Sequence, residues 1–286
     1  MPHDDAPDRP DRRTAEQGYE DLRARLGRES RVLVAFSGGA DSALLAVVAH
    51  RVLGAAAVAV TAVSASLPVA ERRAAAALAR REGLAHVEVC TDELTRPGYV
   101  ANTGDRCFHC KSALFDAVAP LAALSGAVVA LGTNLDDLGD HRPGQRAAAQ
   151  RGAIAPLVDA GLSKAAVREI SRLIGLDTAD KPAAACLSSR IAYGDPVTAE
   201  VLARIEAAEE ALHRLGFPVG RVRAHAGGTV ARLELPAGDL DRAVLVREEI
   251  DEAVRAAGFT FCALDTQGFR SGRMNVLLGV PPVARR

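Results

Sequence analysis

Six consecutive residues, Ser37-Gly38-Gly39-Ala40-Asp41-Ser42, combine hydroxyls, a carboxylate and two glycines in a spacing that suits phosphate binding. An apolar run (32–36) precedes them and an apolar-periodic segment (43–53) follows, which predicts a strand, a glycine turn and a helix start. Glycines let backbone N–H groups approach a ligand, and a helix N-terminus adds unpaired donors and a positive dipole end. No Gly-Lys-Ser/Thr follows, so the P-loop kinase pattern is absent. We therefore expect an anion site; an ordinary capped strand–helix turn is the alternative.

A second polar loop, Gly132-Thr133-Asn134-Leu135-Asp136-Asp137, follows the fourth predicted strand. In an open parallel sheet, ligands bind at the carboxyl ends of the strands, so this loop is expected beside the first. Its acidic side chains could hold the Mg²⁺ that accompanies nucleotide phosphates. Helix capping by Asn134 and Asp136 is the alternative.

Five cysteines are present, an odd number in a chain of cytosolic composition, which favours catalysis or metal binding over disulfides. Cys107 and Cys110 form a lone CxxC, typical of a redox dithiol, half a zinc site or activated thiols at a helix start. Cys186 supplies a possible third thiolate, and three thiolates suit a 4Fe–4S cluster with one open iron, although full protein ligation needs four. Cys90 and Cys262 lie inside strand patterns, which predicts buried, inert thiols.

Two arginines, Arg221 and Arg223, are separated by one residue in a predicted strand and so share a face, which His225 continues. Planar guanidinium groups on one face suit a phosphate or a carboxylate. A solvated or salt-bridged edge strand is the alternative.

Predicted strands and helices alternate along the first two thirds of the chain. Strands joined in this way by right-handed β-α-β crossovers form a doubly wound parallel sheet, so we predict an α/β fold. The strands are predicted at 32–36, 57–63, 85–90, 127–131 and, weakly, 153–157, with helices at 69–82, 111–124 and 164–174.

The pattern changes near Asp195-Pro196, where Thr198 is placed to cap a helix at 199–215. Two strands (221–225, 230–235), a helix (239–257) and a strand (260–264) follow, which predicts a small α+β domain. We divide the 286 residues into a disordered tail (1–14), an α/β domain (15–195) and this smaller domain (196–286).

The composition argues against binding to nucleic acid and to membranes. The formal net charge is −1, so nothing global favours binding to nucleic acid or to an anionic membrane. No apolar stretch is expected to span a bilayer. The tail has no apolar secretion-signal region, so a cytoplasmic location is expected.

The first loop resembles SGGxDS, the pyrophosphate-binding loop of the PP-loop ATP pyrophosphatases. Residues 30–276 as a whole resemble the LarE family, the ATP-dependent sulfur transferases of the nickel-pincer cofactor pathway that serves lactate racemase. Two features depart from that pattern: Ala192 stands where Pro is common, and residues 226–228 look like a small insertion. The more specific motifs are Asp140-His141-Arg142-Pro143-Gly144, the 181–190 segment, Tyr193-Gly194, Arg221-Val222-Arg223 and Gly268-Phe269-Arg270-Ser271-Gly272-Arg273-Met274.

The resemblance implies a reaction. Such enzymes adenylylate the carboxylates of pyridinium-3,5-biscarboxylic acid mononucleotide, release pyrophosphate and AMP, and replace the activated oxygen with sulfur. It also implies ATP and Mg²⁺ as cofactors, a sulfide donor and a homo-oligomer. The residues implied are Ser37, Gly38, Gly39, Asp41, Ser42, Gly132 and Thr133 for ATP, Asp41 and Cys186 for catalysis, and Arg190, Arg221 and Arg223 for the substrate phosphate.

Two sulfur sources occur among these relatives. Some carry only the cysteine that matches Cys186 and sacrifice it, whereas others also carry a CxxC and bind a 4Fe–4S cluster. This chain has Cys107 and Cys110 as well as Cys186, so cluster-dependent transfer is expected. A PP-loop tRNA thiolase is the alternative enzyme, and a non-catalytic nucleotide or iron–sulfur scaffold is the alternative outside enzymes.

Overall fold

The computed structural model describes residues 14–138, 143–182, 185–270 and 274. Residues 1–13 of the predicted tail lie outside this range. Thr14 is already the N-cap of the first helix: its side chain accepts from the Gln17 amide, and the Gln17 side chain accepts from the Thr14 amide.

Four parallel strands form the first sheet, in the order β3-β2-β1-β4. Because the chain runs outward from β1 to β3 and then returns to the other side of β1, the strand order reverses at β1, as the predicted doubly wound fold requires. The strands are β1 (Val32–Ala35), β2 (Ala57–Val63), β3 (Ala85–Cys90) and β4 (Val128–Ala130). The fifth strand predicted at 153–157 is wrong: only an isolated bridge joins Ile154 to Ala130. A helix begins at Pro156, which has no N–H to donate to a ladder.

Helices cover both faces of this sheet. One of them, residues 40–53, is buried along almost its whole length, since it packs on the sheet and is covered by the first and eighth helices. The helices are α1 (Ala15–Leu26), α2 (Ala40–Leu53), α3 (Val69–Arg81), α4 (Pro97–Val100), α5 (Arg106–Ser125), α6 (Pro143–Gln150), α7 (Pro156–Asp159) and α8 (Lys164–Leu173).

Helix α5 begins five residues earlier than predicted, so the CxxC lies in its first turns rather than in a preceding loop.

By length and composition α5 could cross a membrane, so the expectation that no apolar stretch is long enough to span a bilayer is wrong on that criterion. One such helix is weak evidence for a span. Here α5 is tied to the protein through Asp116, which pairs with Arg96 and Arg151.

A second sheet, in the order β5-β6-β7, forms from the last third of the chain. Its central strand pairs antiparallel with β5 and parallel with β7. The helix predicted at 239–257 is interrupted at Val246, whose φ of −110° and ψ of 30° are not helical. The elements are α9 (Ala199–Arg214), β5 (Arg221–His225), β6 (Val230–Glu234), α10 (Leu240–Leu245), α11 (Arg247–Ala256) and β7 (Phe261–Leu264).

The core behind this second sheet also takes residues from before position 196. Tyr99, Leu187 and Ile191 are almost fully buried in it. Ile191 also bridges to Ala224 of β5. The segment that follows Cys186 is therefore anchored on the second core, next to the sheet that carries Arg221 and Arg223.

Candidate active site

The Ser37–Ser42 loop connects β1 to α2, as predicted, and leaves the start of α2 open. Gly39 is the N-cap and no side chain caps the helix, so its first-turn amides are free for a ligand. One hydroxyl braces the turn: Ser42 Oγ accepts from the Ser37 amide at 3.2 Å and donates to Gly39 O at 3.2 Å. The loop has the geometry of an anion site at a helix N-terminus.

Two glycines let backbone segments approach closely at this loop. Gly38 has φ +69°, and a Cβ built on it would lie 3.0 Å from the Cα of Ala75. A Cβ on Gly132 would lie 3.0 Å from the Ser42 amide nitrogen. Glycine at these two positions therefore allows α3 and the end of β4 to pack directly on the loop.

Asp41 contacts both the second polar loop, through Asn134, and Lys164, a residue that the motifs do not include. Asn134 Nδ2 donates to Asp41 Oδ1 at 3.1 Å, and the Lys164 ammonium forms an ion pair with Asp41 Oδ2. Lys164 is the first residue of α8, where a cation opposes the helix dipole. That unfavourable placement was the available signal for a role in anion binding.

A second lysine also contacts the loop. Lys181 Nζ donates to Gly38 O at 3.1 Å and to Glu71 Oε2 at 2.8 Å. Lys181 is the first residue of the 181–190 motif, which also contains Cys186. Lys164 and Lys181 together place two ammonium groups at the anion loop.

The acidic residues of the second loop act as caps. The Asn134 side chain accepts from the Asp136 amide at 3.0 Å, and the Asn134 amide donates to Asp137 Oδ2 at 3.1 Å. Asp136 Oδ2 in turn accepts from the Lys164 amide at 2.6 Å. The capping alternative is thus the one observed at this loop, and Mg²⁺ binding stays a prediction.

Cys186 is exposed and belongs to a polar network behind the loop. Its Sγ lies 2.9 Å from Ser188 Oγ, and Ser188 is also hydrogen-bonded to the phenol of Tyr99. Tyr99, 1% exposed, bonds in addition to Ser66 Oγ, and burial raises its pKa. The Leu187 amide donates to Ser66 O at 2.9 Å. Cys186 is therefore held at the carboxyl end of β2.

The charges of Cys107 and Cys186 both act on the thiol of Cys110, although 76 residues of chain separate Cys110 from Cys186. Burial raises the pKa of the Cys110 thiol to about 12, and the nearby charges of Cys186 and Cys107 act in the same direction. Cys107 and Cys186 are exposed and Cys110 is half-buried. Among the described residues, no three His, Cys, Asp or Glu side chains are grouped so as to hold a metal ion.

The other two thiols differ from the expected burial. Cys90 is exposed, because it ends β3 at the edge of its sheet, so the expectation of a buried thiol is wrong there. Cys262 is half-buried, and burial raises its pKa to about 11.

The three arginines assigned to a phosphate lie together, but two of them are paired with carboxylates. Arg190 pairs with Glu209 at 3.0 Å and Arg223 with Glu234 at 2.7 Å. These two arginines also hold the cysteine segment: Arg190 Nη1 donates to Cys186 O at 3.0 Å, and Arg223 Nη1 donates to Ser189 O at 3.1 Å. The salt-bridge alternative therefore applies to Arg223.

Arg221 has no carboxylate partner among the described residues. It donates to Gly220 O at 3.0 Å, and its guanidinium lies 5.6 Å from the ring centroid of Phe269. Burial lowers its pKa, and the positive charges of Arg190 and Arg223 lower it further. Arg221 is therefore the arginine of this cluster that is available to an anionic ligand.

Other motif residues lie outside the described part of the chain. They are Asp140, His141 and Arg142, Ala183 and Ala184, and Ser271, Gly272 and Arg273.

The chain is similar to proteins of three organisms. An uncharacterized protein of Synechocystis sp. is 45% identical over 266 residues, 92% of this chain and 98% of that protein. The pyridinium-3,5-bisthiocarboxylic acid mononucleotide synthase of Lactiplantibacillus plantarum is 37% identical over 257 residues, 89% of this chain and 92% of that protein. An uncharacterized protein of Methanocaldococcus jannaschii is 28% identical over 173 residues, 60% of this chain and 67% of that protein.

No protein-family model matches the chain. The similarity to the Lactiplantibacillus synthase nevertheless runs through nearly all of both proteins. Together with the parallel sheet and its anion loop, it shows that the chain belongs to the LarE family of sulfurtransferases.

Proposed function

We propose that this chain is an ATP-dependent sulfurtransferase of nickel-pincer cofactor synthesis, which converts the carboxylates of pyridinium-3,5-biscarboxylic acid mononucleotide to thiocarboxylates. Sulfur transfer in that pathway is the function of the family to which the chain belongs. The use of ATP, the two-step chemistry and the sulfur source are the parts that we add.

One observation carries the proposal: a single short segment connects the anion loop to the arginine cluster, with Cys186 between them. Lys181 at its start contacts Gly38, and Arg190 at its end donates to the carbonyl of Cys186. Five residues span at most about 18 Å between Cα atoms, so the segment ties Cys186 to the anion loop as well as to the arginine cluster. This arrangement suits a substrate that carries a phosphate at one end and the reacting carboxylate at the other, because both ends must be held at once.

In the first step, a substrate carboxylate oxygen attacks the α-phosphorus of ATP and the bond to pyrophosphate breaks. The amides at the start of α2 would bind the leaving pyrophosphate, and the ammonium groups of Lys164 and Lys181 would balance its charge. For this step the Asp41–Lys164 ion pair must open or be shared with the ligand, since it occupies the mouth of the loop.

In the second step, a sulfur nucleophile attacks the activated carbonyl carbon, the C–O bond to the phosphate breaks, and AMP leaves. Arg221 would hold the phosphate of the pyridinium nucleotide, because it is the unpaired cation of its cluster. Ser188 and Tyr99 would hold Cys186 in place within the sulfur-handling site. Because the substrate carries two carboxylates, both steps would be carried out twice for each substrate molecule.

For the sulfur source we propose a 4Fe–4S cluster on Cys107, Cys110 and Cys186. The sulfur chemistry of the donor set suits such a cluster, and the charges of Cys107 and Cys186 act on Cys110. Because burial raises the pKa of Cys110 and the three thiols are not grouped as a metal site in the described residues, binding would have to draw them together and displace the Cys110 proton. A cluster with one open iron would supply a bound sulfide for transfer. The alternative is sacrifice of the Cys186 sulfur in a single turnover.

The test is anaerobic release of pyrophosphate from ATP, with the pyridinium nucleotide, with bulk tRNA, or with neither. We expect release only with the pyridinium nucleotide. Release with tRNA alone would make the protein a tRNA thiolase, and no release with either would favour the scaffold alternative. Iron content and the number of turnovers then separate cluster-dependent transfer from sacrifice of Cys186.

A further inference from the structure

We propose that Arg106, supported by Asn102, is a positioning residue for the three-cysteine centre, because it clamps the Cys186 segment to the helix that carries Cys107 and Cys110. The inference rests on the proposed function in one respect: it takes these three cysteines as the sulfur-handling centre.

Arg106 is a buried cation without a carboxylate partner among the described residues. It is 5% exposed, donates to Asn102 Oδ1 and to Ser188 O at 2.9 Å, and lies 5.5 Å from the ring centroid of Tyr193. Arg190 and Arg223, which are buried to a similar extent, are both paired with glutamates. A buried charge is costly unless another charge balances it, so the surroundings of Arg106 suit an anion.

The position of Arg106 in its helix strengthens this argument. It is the first residue of α5; the N-cap residue, Asp105, makes no side-chain capping hydrogen bond, and no acidic residue occupies the first turn. A cation at the positive end of a helix dipole is unfavourable unless an anion binds there. Three thiolates, or a cluster that they ligate, would balance the charge of Arg106.

Asn102 completes the clamp from the other side. It is fully buried with φ +52°, a left-handed conformation that asparagine tolerates better than most residues. Its side-chain Nδ2 donates to Ala192 O at 2.8 Å and to Asp195 O at 2.9 Å. The backbone carbonyl of Asn102 accepts from the Gly194 amide at 3.2 Å. The chain after Cys186 is thus fixed to Asn102, which is fixed to Arg106.

Both ends of the clamp are close in sequence to cysteines. Arg106 directly precedes Cys107, and the carbonyl that it binds belongs to Ser188, two residues after Cys186. The hydrogen bond at 2.9 Å therefore sets how far the CxxC turn lies from the Cys186 thiol. Without it, the two cysteine segments remain joined only through less direct contacts.

The test compares Arg106→Gln and Asn102→Gly with the parent protein, in a Cys90→Ser, Cys262→Ser background. Asn102→Gly removes the side chain but permits the positive φ, so it separates the clamp from backbone strain. Arg96→Gln is the matched control, because Arg96 also tethers α5, through Asp116, about three turns further along the helix.

The first readout is cross-linking of Cys107 to Cys186, the two exposed thiols, in the metal-free protein by a short bis-maleimide, measured against single labelling of each thiol. We expect both clamp variants to lower the cross-linked fraction relative to doubly labelled protein by about tenfold, since hydrogen bonds to a charged group are being lost. Arg96→Gln should match the parent. The urea midpoint of each variant, compared with that of the parent, confirms that the variant is folded.

The second readout is iron and acid-labile sulfide retained after anaerobic reconstitution, which both clamp variants should lower. Cross-linking at the parent level in both variants would overturn the proposal, whatever the iron content. If the parent itself binds no iron but the variants cross-link poorly, the clamp stands and only the cluster in the proposed function fails. If one variant does not fold, the other decides.

Discussion

The glycine at position 38 permits a quantitative test of the anion loop. In Gly38→Ala, the new Cβ would lie 3.0 Å from the Cα and the Cβ of Ala75, where ordinary contacts begin at 3.4 Å. The loop and α3 must therefore separate by roughly 0.4 Å or more to relieve the contact, on top of about 1–2 kcal/mol for a non-glycine residue at positive φ.

Gly126→Ala is the matched control. Gly126 has φ +66°, and a Cβ there would meet nothing within 4 Å, so this variant carries the conformational cost without the steric contact. Gly126→Ala should lose about 1–2 kcal/mol of unfolding free energy, measured in urea, and Gly38→Ala should lose more, because the contact with Ala75 adds to that cost. Only Gly38→Ala should also lose activity. A misplacement of about 1 Å can cost about 10²-fold in rate, so a shift of about 0.4 Å predicts a loss near tenfold.

The assay is the rate of pyrophosphate release with saturating ATP and pyridinium nucleotide. Equal rates for the two variants, after correction for the folded fraction, would contradict the placement of the leaving group at Gly38. A loss of stability without loss of rate would mean that Gly38 only supports packing on α3.

Three side chains and one thiol give further predictions. Lys164→Met should lower kcat about 10²-fold or more, with little change in overall stability, because a cation beside Asp41 is lost at the leaving group; a comparable kcat would exclude Lys164 from the chemistry. Arg221→Ala should raise KM for the pyridinium nucleotide about tenfold or more and leave KM for ATP unchanged, which steady-state kinetics can check. Cys107→Ala should lose bound iron and multiple turnovers but keep the first release of pyrophosphate; retained turnover would point to the sacrificial route. Burial lowers the pKa of His86, so the fold favours the neutral ring. Its stabilising effect should be complete above the ordinary pKa of 6.5 and decline as pH falls through it, a slope that His86→Gln should remove from urea midpoints measured between pH 7 and pH 5.

Most of the sheet could be predicted, because its signals are local. The β1 strand, the glycine turn and α2 follow from an apolar run, two glycines and helical periodicity within about twenty residues. The strand at 221–225 was predicted with its observed limits. The weak strand at 153–157 was not a strand, because a proline at position 156 begins a short helix there.

The candidate site was predicted in its parts but not in its connections. Residue type and spacing selected Ser37–Ser42, Cys186 and Arg221 without any knowledge of their neighbours. The contacts of Lys164 and Arg106 were missed, since their partners are far away in the chain: 123 residues separate Lys164 from Asp41, and 82 separate Arg106 from Ser188.

The sequence by itself thus determined the fold class, the glycine turn between β1 and α2, and the kind of chemistry that the cysteines and arginines can perform. Backbone conformation depends on φ, ψ and side-chain periodicity over a few residues, so these features can be inferred without a tertiary structure. Tertiary packing alone decided which of three arginines is left without a carboxylate, which thiols are exposed, and that the charge of Cys186 acts on Cys110. Those outcomes depend on burial and on charges brought together from distant segments, and a charge changes its effect when a partner at hydrogen-bonding distance neutralises it.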